Sequence, residues 1–128
     1  MPDLDAAYRL NVGGAVQCVS LHETSDARLK TDVREMAGVL DRLGAIRGVT
    51  FRWNEEAGTL GASVGREAIG VLAQEVEGVF PQLVATSEAG YKSVEYNGLT
   101  AVLLEAVKEL KAENEALRQR VEALEAGR

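Results

Sequence analysis

The most regular apolar pattern of the chain lies in residues 98–126, which contain no proline and no glycine after Gly98. Apolar side chains repeat there every seven residues through three heptads, a spacing that is typical of a left-handed coiled coil. At 1.5 Å per residue the helix would be roughly 43 Å long, so part of it must contact other chains. Position a is occupied by Val107, Asn114 and Val121, and position d by Leu103, Leu110, Leu117 and Leu124.

Charged and polar residues along this helix favour parallel chains in register. Position g carries Glu113 and Arg120, and position e of the following heptad carries Arg118 and Glu125, so both interchain pairs join opposite charges. Asn114 at an a position penalises misaligned registers. The run from Arg120 to Glu125 resembles the short Arg-h-x-x-h-Glu pattern, with h apolar, of parallel three-stranded coiled coils.

We therefore predict a parallel homotrimer. A dimer, or a long amphipathic helix folded back on its own domain, is the alternative that the same pattern leaves open. The predicted trimer interface consists of Leu103, Val107, Leu110, Asn114, Leu117, Arg120, Val121, Leu124 and Glu125.

The middle of the chain alternates between helical and strand spacing, which predicts a small α+β domain with short elements. Apolar residues from Val33 to Leu43 predict a helix over residues 32–43, with Thr31 as its N-cap. Residues 54–68 carry three glycines and are expected to form a long loop. The other expected elements are a strand at 49–53, a buried strand at 69–72, a helix at 73–80, a hairpin of 83–86 with 91–96, and a final helix capped by Asn97.

Residues 6–21 alternate loosely and predict two short strands around Gly13-Gly14. They are too few to bury a core alone, so we expect them to end a larger β-rich segment. A frayed N-terminal tail is the alternative. The predicted division is an upstream segment at 1–24, an α+β domain at 25–96 and a trimerisation helix at 97–128.

The composition argues against several classes of function. The net charge of −6 argues against a nucleic-acid surface, which would require clustered basic residues. No apolar run approaches the roughly 20 residues that span a bilayer. Cys18 and His22 are the only residues of their types, which argues against a disulfide and against a Cys- or His-based metal site. We expect neither a metal nor a cofactor.

Ser25 and Lys30 are the candidate catalytic residues. A serine hydroxyl becomes a nucleophile when a base takes its proton, and lysine serves as that base when burial favours its neutral form. The Thr24–Ser25 peptide bond is already beside the Ser25 hydroxyl, so the substrate needs no diffusion. Attack on the Thr24 carbonyl would give an ester, and water would then release a chain that begins at Ser25. Arg28 or backbone N–H groups could stabilise the oxyanion, and Asp26 could orient Lys30 or hold the turn.

Other interpretations of these residues remain open. Ser25-Asp26 is also a common sequence for a plain turn or a helix cap. His22 is a rival base, although a single histidine in a loop is more often simply solvated.

The stretches now described resemble, in order and spacing over residues 25–125, the intramolecular chaperone domain at the C-terminus of phage tailspikes, tail fibres and endosialidases, the S74 peptidase family. The same module is similar to the self-cleaving region of the myelin regulatory factor. The matching stretches are residues 25–30 (SDARLK), 51–53 (FRW), 69–76 (IGVLAQEV), 79–81 (VFP), 91–96 (YKSVEY) and 104–110 (LEAVKEL).

The resemblance implies a trimeric domain that helps an upstream β-rich fibre in the same chain to fold and come into register. It then cuts itself off, as a single-turnover serine endopeptidase. Ser25 matches the nucleophile and new N-terminus, Lys30 matches the lysine of the dyad, and Asp26 and Arg28 match motif positions of unassigned role. The loop at 54–68 could contact the client. The location implied is a phage tail fibre or tailspike precursor that folds in the host cytoplasm.

Two alternatives to this function have different consequences. A structural trimerisation module would have the same fold and stay at a fibre tip without cleavage. An ordinary coiled-coil adaptor would leave the match over residues 25–96 unexplained.

Overall fold

A computed structural model describes residues 10–127. Its elements alternate between short helices and strands before one long helix, which confirms the α+β class. In chain order they are a 3-10 turn at Ala27–Leu29, α1 at Val39–Leu43, β1 at Val49–Arg52, α2 at Glu55–Gly58, β2 at Glu67–Gly70, α3 at Ala73–Val79, a 3-10 turn at Pro81–Leu83, β3 at Val84–Thr86, β4 at Lys92–Val94 and α4 at Tyr96–Ala126.

A small core joins α1, α3 and the first turns of α4. Its fully enclosed side chains are Val39 and Val76. The ring of Phe80 completes the core, and the guanidinium of Arg42 stacks over that ring at 4.6 Å from its centroid. From α4, Val102 and Ala106 close the core. Burial of these apolar side chains is the main force that holds the short elements together.

The strands form two separate antiparallel pairs. β1 pairs with β2, with Val49 opposite Gly70, and β3 pairs with β4, with Val84 opposite Val94. A Cβ at Gly70 would lie 2.6 Å from the hydroxyl oxygen of Tyr96, so a larger residue there would displace that side chain. That hydroxyl accepts a hydrogen bond from the backbone N–H of Val71, so it ties the first hairpin to the start of α4.

The helix α4 has 31 residues and is about 46 Å long, and its C-terminal half extends past the domain. Its residues beyond Leu110 are all exposed. This half of α4 therefore has no support from its own domain. Short isolated helices are marginally stable in water, so it needs contacts with other chains to be stable. Within residues 10–127, no helix combines the length and apolar character that a membrane crossing requires.

The predicted helix over residues 32–43 is wrong in its first half. Asp32 has a φ of 53°, in the left-handed region that interrupts a right-handed helix and that aspartate tolerates better than most residues. The helix begins only at Val39, after Gly38 with a φ of 65°. Val33, assigned to the apolar stripe, is exposed.

The predicted loop and buried strand around residue 68 also need correction. Residues 54–68 include α2, because the side chain of Asn54 accepts a hydrogen bond from the N–H of Ala57 and caps a helical turn. β2 starts two residues earlier than predicted, and Ile69 is exposed, so the strand is not buried. The helix after it and the second hairpin are confirmed.

Two predictions near the chain ends differ from the structure. Residues 10–21 contain no strand and are exposed, because nothing among the described residues pairs with them, while residues 6–9 lie outside the described range. α4 begins at Tyr96, so Asn97 lies inside the first turn and Glu95 is the N-cap residue.

Candidate functional site: the Ser25–Lys30 turn

A single 3-10 turn brings residues 25 and 30 together. Asp26 caps this turn, since its carboxylate Oδ1 accepts a hydrogen bond of 2.9 Å from the backbone N–H of Arg28. The N–H groups of Leu29 and Lys30 donate to the carbonyl oxygens of Asp26 and Ala27, at 3.0 and 3.2 Å. The chain therefore reverses between Ser25 and Lys30 instead of running on in an extended form.

The side chain of Arg28 also binds the capping carboxylate of Asp26. Its Nε donates to Asp26 Oδ1 at 3.1 Å and its terminal nitrogen to Oδ2 at 2.9 Å, a bidentate pair with a defined geometry. The side-chain hydrogen bonds from Arg28 lower the pKa of the Asp26 carboxyl, and the carboxylate raises the pKa of Arg28. Both groups therefore stay charged at neutral pH, and their two side-chain hydrogen bonds hold the turn closed. We call residues 25–30 in this conformation the clamped turn.

The clamped turn places the two candidate catalytic groups in contact. Lys30 Nζ donates a hydrogen bond of 2.8 Å to Ser25 Oγ. This distance lies within the reach expected of a nucleophile and its base. As an ammonium, Lys30 donates to the hydroxyl, whereas a neutral amine in the same place would accept the hydroxyl proton. Ser25, Lys30 and the preceding Thr24 are all exposed in the single chain.

His22 is not brought into this arrangement. It is exposed, and it takes part in none of the side-chain hydrogen bonds found within residues 10–127. The geometry therefore favours Lys30 over His22 as the partner of Ser25.

The predicted trimer-interface residues lie on a face of α4 that the domain leaves uncovered. Leu103, Val107 and Leu110 are each more than half exposed, although Val102 and Ala106, on the neighbouring face of the same turns, are buried in the core. α4 thus has two apolar faces, one for its own domain and one without a partner in a single chain. The rest of the predicted interface is exposed as well and consists of Asn114, Leu117, Arg120, Val121, Leu124 and Glu125.

Sequence reasoning missed the residues of α4 that hold α1 and the segment before it, Glu109 and Lys108. Glu109 accepts hydrogen bonds from the backbone N–H groups of Leu40 and Val39, at 2.7 and 3.0 Å, and so caps α1 from another element. These hydrogen bonds lower the pKa of Glu109. Lys108 bridges Glu35 and Glu105 at 3.0 and 3.1 Å.

The available signal for Glu109 was a second stripe on α4. Val102, Ala106 and Glu109 are spaced by four and three residues, the spacing of one helical face. This face differs from the a and d face that was assigned to other chains. A glutamate on it indicates a polar contact between α4 and its own domain.

Comparisons with known proteins confirm the resemblance read from the sequence. Residues 25–85 match the family described as chaperone of endosialidase, which carries the name peptidase S74. The chain is also similar to the long tail fiber protein Gp37 of Salmonella phage S16, with 38% identity over 98 residues. That similarity covers 74% of this chain and 13% of the phage protein. The family match begins at Ser25, the serine of the clamped turn.

Proposed function

We propose that this chain, whose residues 25–85 belong to the chaperone of endosialidase family, is a self-releasing assembly domain. It trimerises through α4, assists the folding and registration of an upstream fibre in the same chain, and cleaves the Thr24–Ser25 bond. The similar phage protein is named as a long tail fiber protein, so we propose a phage tail fibre or tailspike precursor as the setting, with folding in the host cytoplasm. The chain spans 13% of the length of that relative.

The observation that carries this proposal is the 2.8 Å contact between Lys30 Nζ and Ser25 Oγ. Of the roles that the sequence allows for Asp26 and Arg28, this proposal takes one: together they hold the turn that makes the contact. An unclamped five-residue separation would sample many geometries, and the entropy of ordering it would oppose the reaction.

The proposed reaction has two steps. Neutral Lys30 takes the Ser25 hydroxyl proton while Oγ attacks the carbonyl carbon of Thr24, and the lysine then gives that proton to the departing nitrogen of Ser25. The C–N bond breaks, and an ester between Thr24 and Ser25 Oγ replaces it. Water hydrolyses the ester, which leaves a carboxylate on Thr24 and a free amine and hydroxyl on Ser25. The pair acts once, because its substrate is part of the chain.

Assembly provides the switch in this scheme. Lys30 is exposed in the single chain. We propose that neighbouring chains cover the turn in the trimer, since burial favours the neutral amine that the reaction needs. The apolar a and d residues of α4, which we call its seam, support assembly because they remain more than half exposed in the single chain. They are Leu103, Val107, Leu110, Leu117, Val121 and Leu124.

Intact-mass measurement of the folded chain tests this function. We expect the wild type to yield a fragment that begins at Ser25, and Ser25→Ala and Lys30→Ala to keep the full-length mass. Ser20→Ala is the matched control, because Ser20 is an exposed serine of the same upstream segment and should leave cleavage unchanged. A full-length wild type in a folded trimer would instead support the non-cleaving structural module.

A further inference from the structure

A close backbone contact joins the segment upstream of the cleavage site to the body of the domain. Gly61 follows α2 and has a φ of 101°, and a Cβ built there would lie 2.2 Å from the carbonyl oxygen of Gly13. The same Cβ would lie 2.6 Å from the carbonyl carbon. Residue 61 must therefore be glycine for the upstream chain to pass this close.

The contact lies at an open cleft of about 580 Å³, which we call the Trp53 cleft and define by its domain residues Trp53, Leu60 and Gly61. Val12 and Gly14 of the upstream segment line its other side. Val12 is 47% exposed, whereas Val16, four residues closer to Ser25, is 70% exposed, so coverage is greater where the segment meets the cleft. Apolar side chains of both segments therefore line the cleft beside the backbone contact.

We infer that the Trp53 cleft is a binding site for the upstream segment and holds it after the Thr24–Ser25 bond has been cut. This inference rests on the proposed function, since it concerns the fate of the two products. Ser25 lies ten positions after Ala15, and the cleft contact does not pass through the broken bond. Release of the client then becomes a separate step that follows the chemistry.

The contact between one upstream segment and one Trp53 cleft is small, so a single cleft would bind its segment weakly. In a trimer three such contacts would act together on one trimeric client, and linked weak contacts dissociate far more slowly than single ones. The consequence is an order of events in which the chaperone holds the registered chain ends while the covalent bonds are cut one after another.

Gly61→Ala tests the inference, with Gly65→Ala as its control. Gly65 lies in the same loop with a φ of 79°, but a Cβ there meets nothing within 4 Å, so the control carries the backbone strain without the clash. After cleavage, we expect the upstream fragment to co-elute with the Ser25-initiated fragment in the wild type and in Gly65→Ala. In Gly61→Ala we expect its release to be about tenfold or more faster. Immediate separation in the wild type, or equal retention in both variants, would overturn the inference.

A second readout does not depend on cleavage. Trp53 is the only tryptophan of the chain, so in the uncleaved Ser25→Ala background its fluorescence reports on the cleft. Adding Gly61→Ala should shift the emission to the red as Trp53 becomes more hydrated, and adding Gly65→Ala should not. An unchanged spectrum with Gly61→Ala would contradict the docking even if self-cleavage occurs, and a shift would support it even if self-cleavage fails.

Discussion

Replacing Leu117 by alanine should weaken assembly of the trimer while leaving the domain folded. Leu117 lies at a d position in the half of α4 that its own domain does not support, and its residue surface is 55% exposed in the single chain. Full burial of a leucine side chain contributes about 1.5–3 kcal/mol, so covering the exposed half contributes about 1 kcal/mol per chain. Three chains meet in one layer, which gives about 3 kcal/mol, or roughly a 100-fold change in the trimer dissociation constant.

Sedimentation equilibrium over a range of concentrations measures this change. Gln119→Ala is the matched control, since it is two residues away on the same helix, at the outward f position, and is also exposed. We expect Gln119→Ala to dissociate as the wild type does. Equal dissociation constants for Leu117→Ala and the wild type, or a two-chain mass for the wild type, would refute the assignment of the seam.

Three further predictions concern the turn, the cap and the core. Arg28→Ala should slow self-cleavage a few-fold by releasing Asp26, with Arg34→Ala as an exposed control, in a time course of intact mass. Glu109 has a pKa below its ordinary value of 4.5, so its contribution to stability is present above pH 4.5 and is lost as pH falls through the lowered value. The melting temperatures of the wild type and Glu109→Gln should therefore converge on acidification; a constant difference would contradict this. Val76→Ala should cost about 2 kcal/mol in urea unfolding, because Val76 is fully buried, and a loss near zero would contradict its place in the core.

The parts of the structure that the sequence predicted well are those encoded by local periodicity. α4 follows from a seven-residue repeat, and α3 from helical spacing that ends before Pro81. The predicted helix at 32–43 was wrong in its first half, because Asp32 and Gly38 both have left-handed φ angles that the apolar stripe does not reveal.

The remaining features depend on contacts between distant residues. Glu109 caps a helix that starts 70 residues earlier, and no local pattern specifies such a contact. For the candidate site, the sequence supplied Ser25 and Lys30, but the function of Asp26 and Arg28 in holding the turn required the hydrogen-bond geometry. The contact of Gly61 with Gly13 likewise depends on how two loops pass each other.

The most direct test of the account is the cleaved fraction of the wild-type chain, measured by intact mass after folding at concentrations above and below the trimer dissociation constant. We predict a fragment that begins at Ser25 above that concentration and uncleaved full-length chain below it. Full-length chain in an assembled trimer would contradict the proposed chemistry. An equal cleaved fraction at every concentration would contradict the proposal that assembly activates Lys30.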